Sequence, residues 1–159
     1  MDQQQLYKIM YISSASPNMS IEDLDRLLDK CRFKNAHFNI TGYLLHHNGR
    51  FIQLLEGKKI SVEYIYNTVK IDSRHNNLIE LCAEPIDSRM FPHWEMGFQH
   101  LSEQQIAEIS NAHQLFGNEM TSSDIDRLCR RARAFFEAFV RSVAVVHDYN
   151  QLRDVMLRV

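Results

Sequence analysis

The 159-residue chain has three cysteines, and their arrangement excludes the usual cysteine chemistry. Cys31, Cys82 and Cys129 are odd in number and widely spaced, with no CxxC pair, so neither a disulfide framework nor a zinc motif is expected. Each reads as a small buried hydrophobe. No apolar run approaches the roughly 20 residues that a bilayer-spanning helix needs. The N-terminal stretch MDQQQLYK lacks the basic start and apolar segment of a signal peptide. The expectation is a cytoplasmic protein with no membrane partner. A formal net charge of only -2 gives no global reason to expect nucleic acid either. GxSxG, P-loop and GxGxxG motifs are absent, as are internal repeats and low-complexity linkers.

What remains is the profile of an ordinary globular chain, 45% hydrophobic and 24% charged, long enough for one domain with a short appendage. LYKIMYIS at 6–13 alternates as a first strand, with Tyr7, Ile9, Tyr11 and Ser13 on one face. Ser20 is placed to cap a helix over 21–35, whose apolar positions are Ile21, Leu24, Leu27, Leu28 and Cys31. NITGYLLHH and RFIQLLEG flank an Asn-Gly pair, the strongest hairpin signal in the chain. Val62, Ile65, Tyr66 and Val69 mark a second amphipathic helix between Lys58 and Asp72. NNLIELCAEPI predicts a fourth strand and HWEMGFQ a short fifth.

That order predicts an α+β fold: a ferredoxin-like βαββαββ sheet with two helices on one face. Ser102 and Gln105 form a capping box for a short helix carrying Ile106 and Ile109, and Gly117-Asn118 breaks the chain. A long helix over about 123–147 repeats Ile125, Leu128, Ala132, Phe135, Phe139, Val143 and Val146 at three- and four-residue steps, an apolar stripe for the sheet's other face or for a second subunit. Two units are expected, 1–100 as the functional domain and 101–159 as a helical extension.

Within RFIQLLEG both faces are apolar, yet Gln53 stands between Phe51 and Leu55. Burying an unpaired amide costs on the order of a few kcal/mol, so a partner must meet it. Tyr11, Gln53 and Met96 come from separate strands and can share the helix-covered face, with Asn35 near the end of the first helix and Trp94 close by. Singly, each fits ordinary packing or a turn. Together they supply a phenol, two amides, a thioether and an indole around one cleft, and an amide can bridge a phenol and an acceptor-rich heterocycle.

YIS at 11–13, KN at 34–35 followed by NITGYLL, FIQLLEG at 51–57, DSRHNN at 72–77 and HWEM at 93–96 resemble a BLUF domain, a blue-light sensor using FAD. The resemblance covers roughly residues 6–98. It implies non-covalent binding of FAD, or FMN, between the two helices, with Tyr11, Ser13, Lys34, Asn35, Gln53, Arg74, His75 and Met96 as cofactor contacts. It also implies that Tyr11 donates an electron to the excited flavin, that Gln53 rotates or tautomerises, and that Trp94 or Met96 relays the change to the C-terminal helices. Family members often carry histidine or arginine on the second helix where this chain has Thr68. The implied role is sensing rather than catalysis, with a separate effector protein as partner and a homo-oligomeric assembly.

Other constellations are weaker. His46 and His47 are adjacent on a strand and point to opposite faces, and His93 and His100 lack a matching carboxylate or cysteine pattern, so no metal site is expected. Arg127, Arg130, Arg131 and Arg133 lie near Asp124 and Asp126 on the polar side of the long helix, a solvated or subunit-facing stripe. The alternative function is a small ferredoxin-like hydrolase of the acylphosphatase type. That chemistry needs an anion-cradling loop with an arginine, and SSASPNMS has none. A flavin-free interaction module is the third reading, against which stand Tyr11, Asn35 and Gln53.

Overall fold

The computed structural model describes residues 2–17, 19–104, 126–127, 129–138 and 141. Alternation in the first segment produces β1 (Leu6–Ala15), which sends Ile9 and Tyr11 to one face and Met10 and Ile12 to the other. α1 (Ile21–His37) starts at the expected cap: the Ser20 hydroxyl accepts from the Asp23 N–H at 3.1 Å, and the Asp23 carboxylate accepts from the Ser20 N–H at 3.0 Å. Its end differs from expectation. Asn39, at φ 52°, takes the left-handed position, with Asn39 N–H donating to Ala36 O and Ile40 N–H to Asn35 O, a Schellman closure. Asn35 is therefore an interior helix residue whose side chain serves elsewhere. Leu27 and Leu28 form the buried stripe, whereas Ile21 is largely exposed.

β2 (Thr41–His47) and β3 (Arg50–Lys58) form the hairpin signalled by Asn48-Gly49, both of which have positive φ as a tight primed turn requires. α2 (Lys59–Lys70) buries Val62, Ile65 and Tyr66, and β4 (His75–Pro85) follows. β5 spans only Gly97–His100, so the strand expected from His93 onward is shorter, and Trp94 and Met96 precede it. The cause is visible in the backbone: the Glu95 carbonyl accepts from Asn35 Nδ2 at 2.6 Å and the Met96 carbonyl from Arg32 Nε at 3.0 Å. Those acceptors are occupied by α1, and regular parallel pairing with β2 begins only at Tyr43 opposite Gly97.

The sheet order is β4-β1-β3-β2-β5, with β1 antiparallel to both neighbours and β5 parallel to β2. This is the expected ferredoxin-like arrangement extended by one strand. α1 and α2 cover one face, where Leu28, Val62, Ile65 and Tyr66 meet Ile9, Tyr11, Leu44, Phe51 and Leu55. On the other face Met10, Ile12, Leu45, Ile52, Leu54 and Leu81 pack beneath Phe91, Leu101 and a helical segment over 129–138 that contributes Ala132, Phe135 and Phe136. The expected covering of the second face by C-terminal helix is thus present. Gln105, Ile106, Ile109, the 117–118 break, Asp124, Ile125, Leu128, Phe139, Val143 and Val146 lie outside the described residues.

Two polar devices hold the connections. Glu56, 1% exposed, accepts from the main-chain N–H groups of Met90 and Phe91 at 2.8 and 2.9 Å, pinning the segment after β4. Burial raises its pKa, and those two donors offset part of the rise. At the far edge, β2–β5 register brings His46 Nδ1 to 2.9 Å from His100 Nδ1, a pairing invisible in the sequence. Burial first, then the neighbouring His100 and His47, pushes His46 down to about 4. Among the described residues no group of three or more His, Cys, Asp or Glu side chains is arranged to hold a metal ion, and no helix is long and apolar enough to cross a membrane.

Gly42 lies where β2 crosses closest to β3: a Cβ there would stand 1.9 Å from the Leu54 carbonyl oxygen. Gly42→Ala should therefore lower stability by about 2–3 kcal/mol in urea denaturation, because strand backbones rather than a flexible side chain must move. An unchanged midpoint would show that the hairpin is not packed this closely.

Candidate functional site

Between α1 and α2, above β2 and β3, lies a cleft that opens to solvent. Leu27, Leu44, Ile65 and Val69 give it apolar walls, Asn35, Gln53 and Thr68 polar points, and Lys30, Lys34 and Arg74 cationic ones.

Gln53 is held at its base. Pairing places Tyr11 opposite Gln53 across β1 and β3, and Gln53 opposite Leu44 across β3 and β2. The Tyr11 hydroxyl donates to Gln53 Oε1, and Gln53 Nε2 donates to Met96 Sδ at 3.5 Å. These three residues are essentially buried, at 0%, 4% and 2% exposure. A thioether is only a weak acceptor, so an amide nitrogen with two hydrogens is under-supplied there. The reversed amide would set Oε1 against a sulfur that has no hydrogen to give. The local chemistry thus favours Oε1 toward the phenol while leaving amide N–H capacity for an acceptor in the cleft.

Around this chain, burial holds the Tyr11 phenol well above its ordinary pKa, reinforced by Cys31, Tyr66 and Asp72. Tyr11 is therefore a neutral hydrogen-bond donor at physiological pH. The Tyr66 ring, from α2, sits tilted 5.2 Å from that of Tyr11. Ser13 Oγ and His75 Nδ1 are 3.0 Å apart, and burial lowers the His75 pKa, so the imidazole is neutral near pH 7. Arg74 grips Asp72 through Nε at 2.9 Å and Nη2 at 2.5 Å, a bidentate pair at the cleft's rim. Thr68 Oγ donates to Ile65 O within α2 at 2.7 Å.

The structure brings Tyr11, Gln53, Met96 and Asn35 together, with Ser13, Arg74 and His75 on one side and Lys34 exposed on α1. It does not bring Trp94. That indole is on the opposite face of the sheet, 5.2 Å from Tyr43 and stacked at 6.1 Å on Phe91. Of the two relay candidates, Met96 is the one beside Gln53. Sequence reading missed Arg32, which fixes the Met96 carbonyl by a contact that arises only from tertiary placement, and Asp72, which occupies Arg74 two residues on and lay within reach of a local reading. Tyr66 was visible only as a helix-face core residue.

The donor set fits a flat heteroaromatic group with acceptor edges and an anionic tail. Apolar walls would sandwich the ring, the Gln53 and Asn35 amides would meet its edge, and Lys30 and Lys34 would favour negative charge at the mouth.

Known proteins agree with that chemistry. A family model described as sensors of blue-light using FAD, BLUF, matches residues 6–97. The photoactivated adenylate cyclase subunit beta of Euglena gracilis is 38% identical over 87 residues, 55% of this chain and 10% of that protein. The blue light- and temperature-regulated antirepressor BluF of Escherichia coli (strain K12) is 29% identical over 86 residues, 54% of this chain and 21% of that protein. The chain thus aligns with about a tenth of the length of the cyclase subunit and a fifth of the antirepressor. Among solved structures, a bacterial light-regulated adenylyl cyclase superposes at TM-score 0.63 and 31% identity, covering 79% of this chain and 40% of that one. BlsA in its ground state superposes at 0.70 and 23% identity over 85% and 87% of the two chains, a likeness of fold.

The Arg74 clamp has a pH signature. Its hydrogen bonds hold the Asp72 carboxyl below the ordinary value of 3.8. A carboxylate with a lowered folded-state pKa contributes stability that is complete above the unfolded value and disappears as pH falls through the folded one. Arg74→Ala should cost up to about 1 kcal/mol at pH 7, as befits a partly exposed pair. The gap from wild type should close as urea titrations are taken below about pH 4. A gap independent of pH would show that Arg74 acts by packing instead.

Proposed function

The chain belongs to the BLUF family of blue-light sensors, and from that premise we propose that it is a photoreceptor that binds FAD, or FMN, non-covalently in the cleft between α1 and α2. The observation that carries this reading is the Tyr11–Gln53–Met96 chain at the base of the cleft, with an amide whose N–H groups lack a strong acceptor.

A bound flavin supplies absorption of blue light and an excited state that accepts an electron. Tyr11 is the donor, and its phenolic proton leaves along the bond to Gln53. Gln53 would be left rotated or tautomerised once both the electron and the proton had returned to Tyr11, so no net reaction would occur. A neutral amide exchanges its donor and acceptor ends without creating charge, and two networks that differ by a few kcal/mol are enough for a bistable switch. Asn35 gives one amide hydrogen to Glu95 O and has a second, with its carbonyl, to offer the pyrimidine edge of the ring. Ser13, His75, Arg74 and Lys34 are the remaining contacts, with Lys34 placed for negative charge and Arg74 already paired with Asp72.

Loss of the Gln53 amide bond to Met96 frees the thioether to repack, and Met96 leads directly into β5. The chain to residue 100 is then the light-sensing part and 101–159 the output part. The output is a light-dependent change in contacts with a separate effector protein, or with another copy of the chain, rather than catalysis by the domain itself.

Absorption spectra in darkness, just after blue light and during recovery test this reading. A flavin spectrum that shifts slightly red and recovers, with the shift abolished in Gln53→Leu, is the expected result; protein that stays colourless after incubation with FAD would refute it. For the relay, Met96→Ala should keep the spectral shift yet lose most of the light-minus-dark difference in amide hydrogen exchange at β5. If that difference persists in full, the signal leaves by another path.

A further inference from the structure

The two cysteines on the sheet's second face are close neighbours despite their separation in sequence. β4 slips register between Met10–Cys82 and Tyr11–Glu80, leaving Leu81 as the extra residue of a bulge. The bulge turns both Leu81 and Cys82 toward the cluster that also packs Cys129 from the 129–138 helical segment. The Cys82 and Cys129 thiols are within hydrogen-bonding reach of each other, and both residues are half-buried, so a small thiol reagent can reach them. Arg133, one helical turn beyond Cys129, adds its guanidinium to the same spot. It is paired with Glu84 through Nη2 at 2.5 Å, while its buried Nε has no partner of hydrogen-bond geometry. Lys8 from β1 completes the charged surround through its 3.0 Å bridge to Glu84.

We propose that Cys82 and Cys129 are a reversible redox pair, oxidised by a low-molecular-weight disulfide to an internal bridge that ties the C-terminal helical segment to β4. This inference is independent of flavin binding. Burial first, then the neighbouring Cys129, pushes the Cys82 thiol up to about 12. A thiolate of the pair attacks glutathione disulfide, forming a mixed disulfide and expelling one glutathione thiolate. The other cysteine gives its proton to the expelled glutathione thiolate and attacks the sulfur of its modified neighbour, expelling the second glutathione thiolate. Two cysteine thiols are oxidised and one glutathione disulfide is reduced to two glutathiones.

Cys31 provides an internal control, because it lines the cleft on the opposite face of the sheet. The test treats the folded full-length protein with glutathione disulfide at mildly alkaline pH, then maps peptides by mass. The expected product loses two hydrogens, carries the Cys82–Cys129 link with Cys31 unmodified, and returns to the starting mass with a reductant. Amide exchange over 129–138 should be roughly tenfold slower in the bridged form. Glutathione retained on either cysteine without ring closure, a bridge that includes Cys31, or a fully reduced chain would each overturn the proposal. Unaltered exchange over 129–138 in a bridged chain would overturn the tethering.

Discussion

An amide buried in the middle of the sheet is the constraint around which the rest of the molecule is arranged. β3 is flanked by β1 and β2 and covered on both faces, so Gln53, only 4% exposed, must find its partners largely within the protein. Its carbonyl is satisfied by the Tyr11 phenol from the neighbouring strand, and among the described residues its nitrogen meets the Met96 sulfur. A buried polar network that is fully paired rigidifies a core, whereas one that is short of an acceptor is poised to take a ligand. Gln53 also lines the cleft between α1 and α2.

Met96 can meet Gln53 because α1 holds the strand that follows it. Asn35 and Arg32 take the carbonyls of Glu95 and Met96, which stops β5 from starting earlier and fixes the chain just before the strand. Within two residues, this segment contacts both sides of the sheet: Met96 packs with the helix-covered cluster and Trp94 with the opposite one. From Trp94 the rings continue through Phe91 to Phe136, with centroids 6.1 and 6.3 Å apart. A displacement at the amide therefore has a packed route to the face that carries the C-terminal segment. Closely packed interiors respond by switching between arrangements rather than by deforming smoothly.

Most of the fold was legible because its signals are local. Ser20 and Asp23 form a cap four residues long, Asn48-Gly49 needs only its own backbone, and the alternation of Tyr7, Ile9 and Tyr11 is set by the pleat. The misplacements arose where long-range bonds overrode local preference. Asn35 looks like a helix terminator but is an interior residue bonded to Glu95, so Asn39 ends the helix. HWEM has strand-like composition, yet its last two carbonyls, those of Glu95 and Met96, are taken by α1 before a regular ladder can form. The family motifs identified the blue-light sensor family, which the match over 6–97 establishes, because they constrain residue type at fixed spacing along the chain.

Sequence alone determined the order of elements, the two apolar faces of the sheet and the requirement that Gln53 have a partner, since each follows from periodicity or from the free energy of burying an amide. Tertiary structure alone decided which side chain stands beside Gln53 and which lies across the sheet, through the capture of two carbonyls by α1. It also decided that Cys82 faces Cys129. Strict alternation would turn Cys82 away from the side occupied by Leu81, and a single bulged residue reverses it. Contacts between residues far apart in the chain depend on register and strand ends, which are set by the whole sheet rather than by any window of sequence.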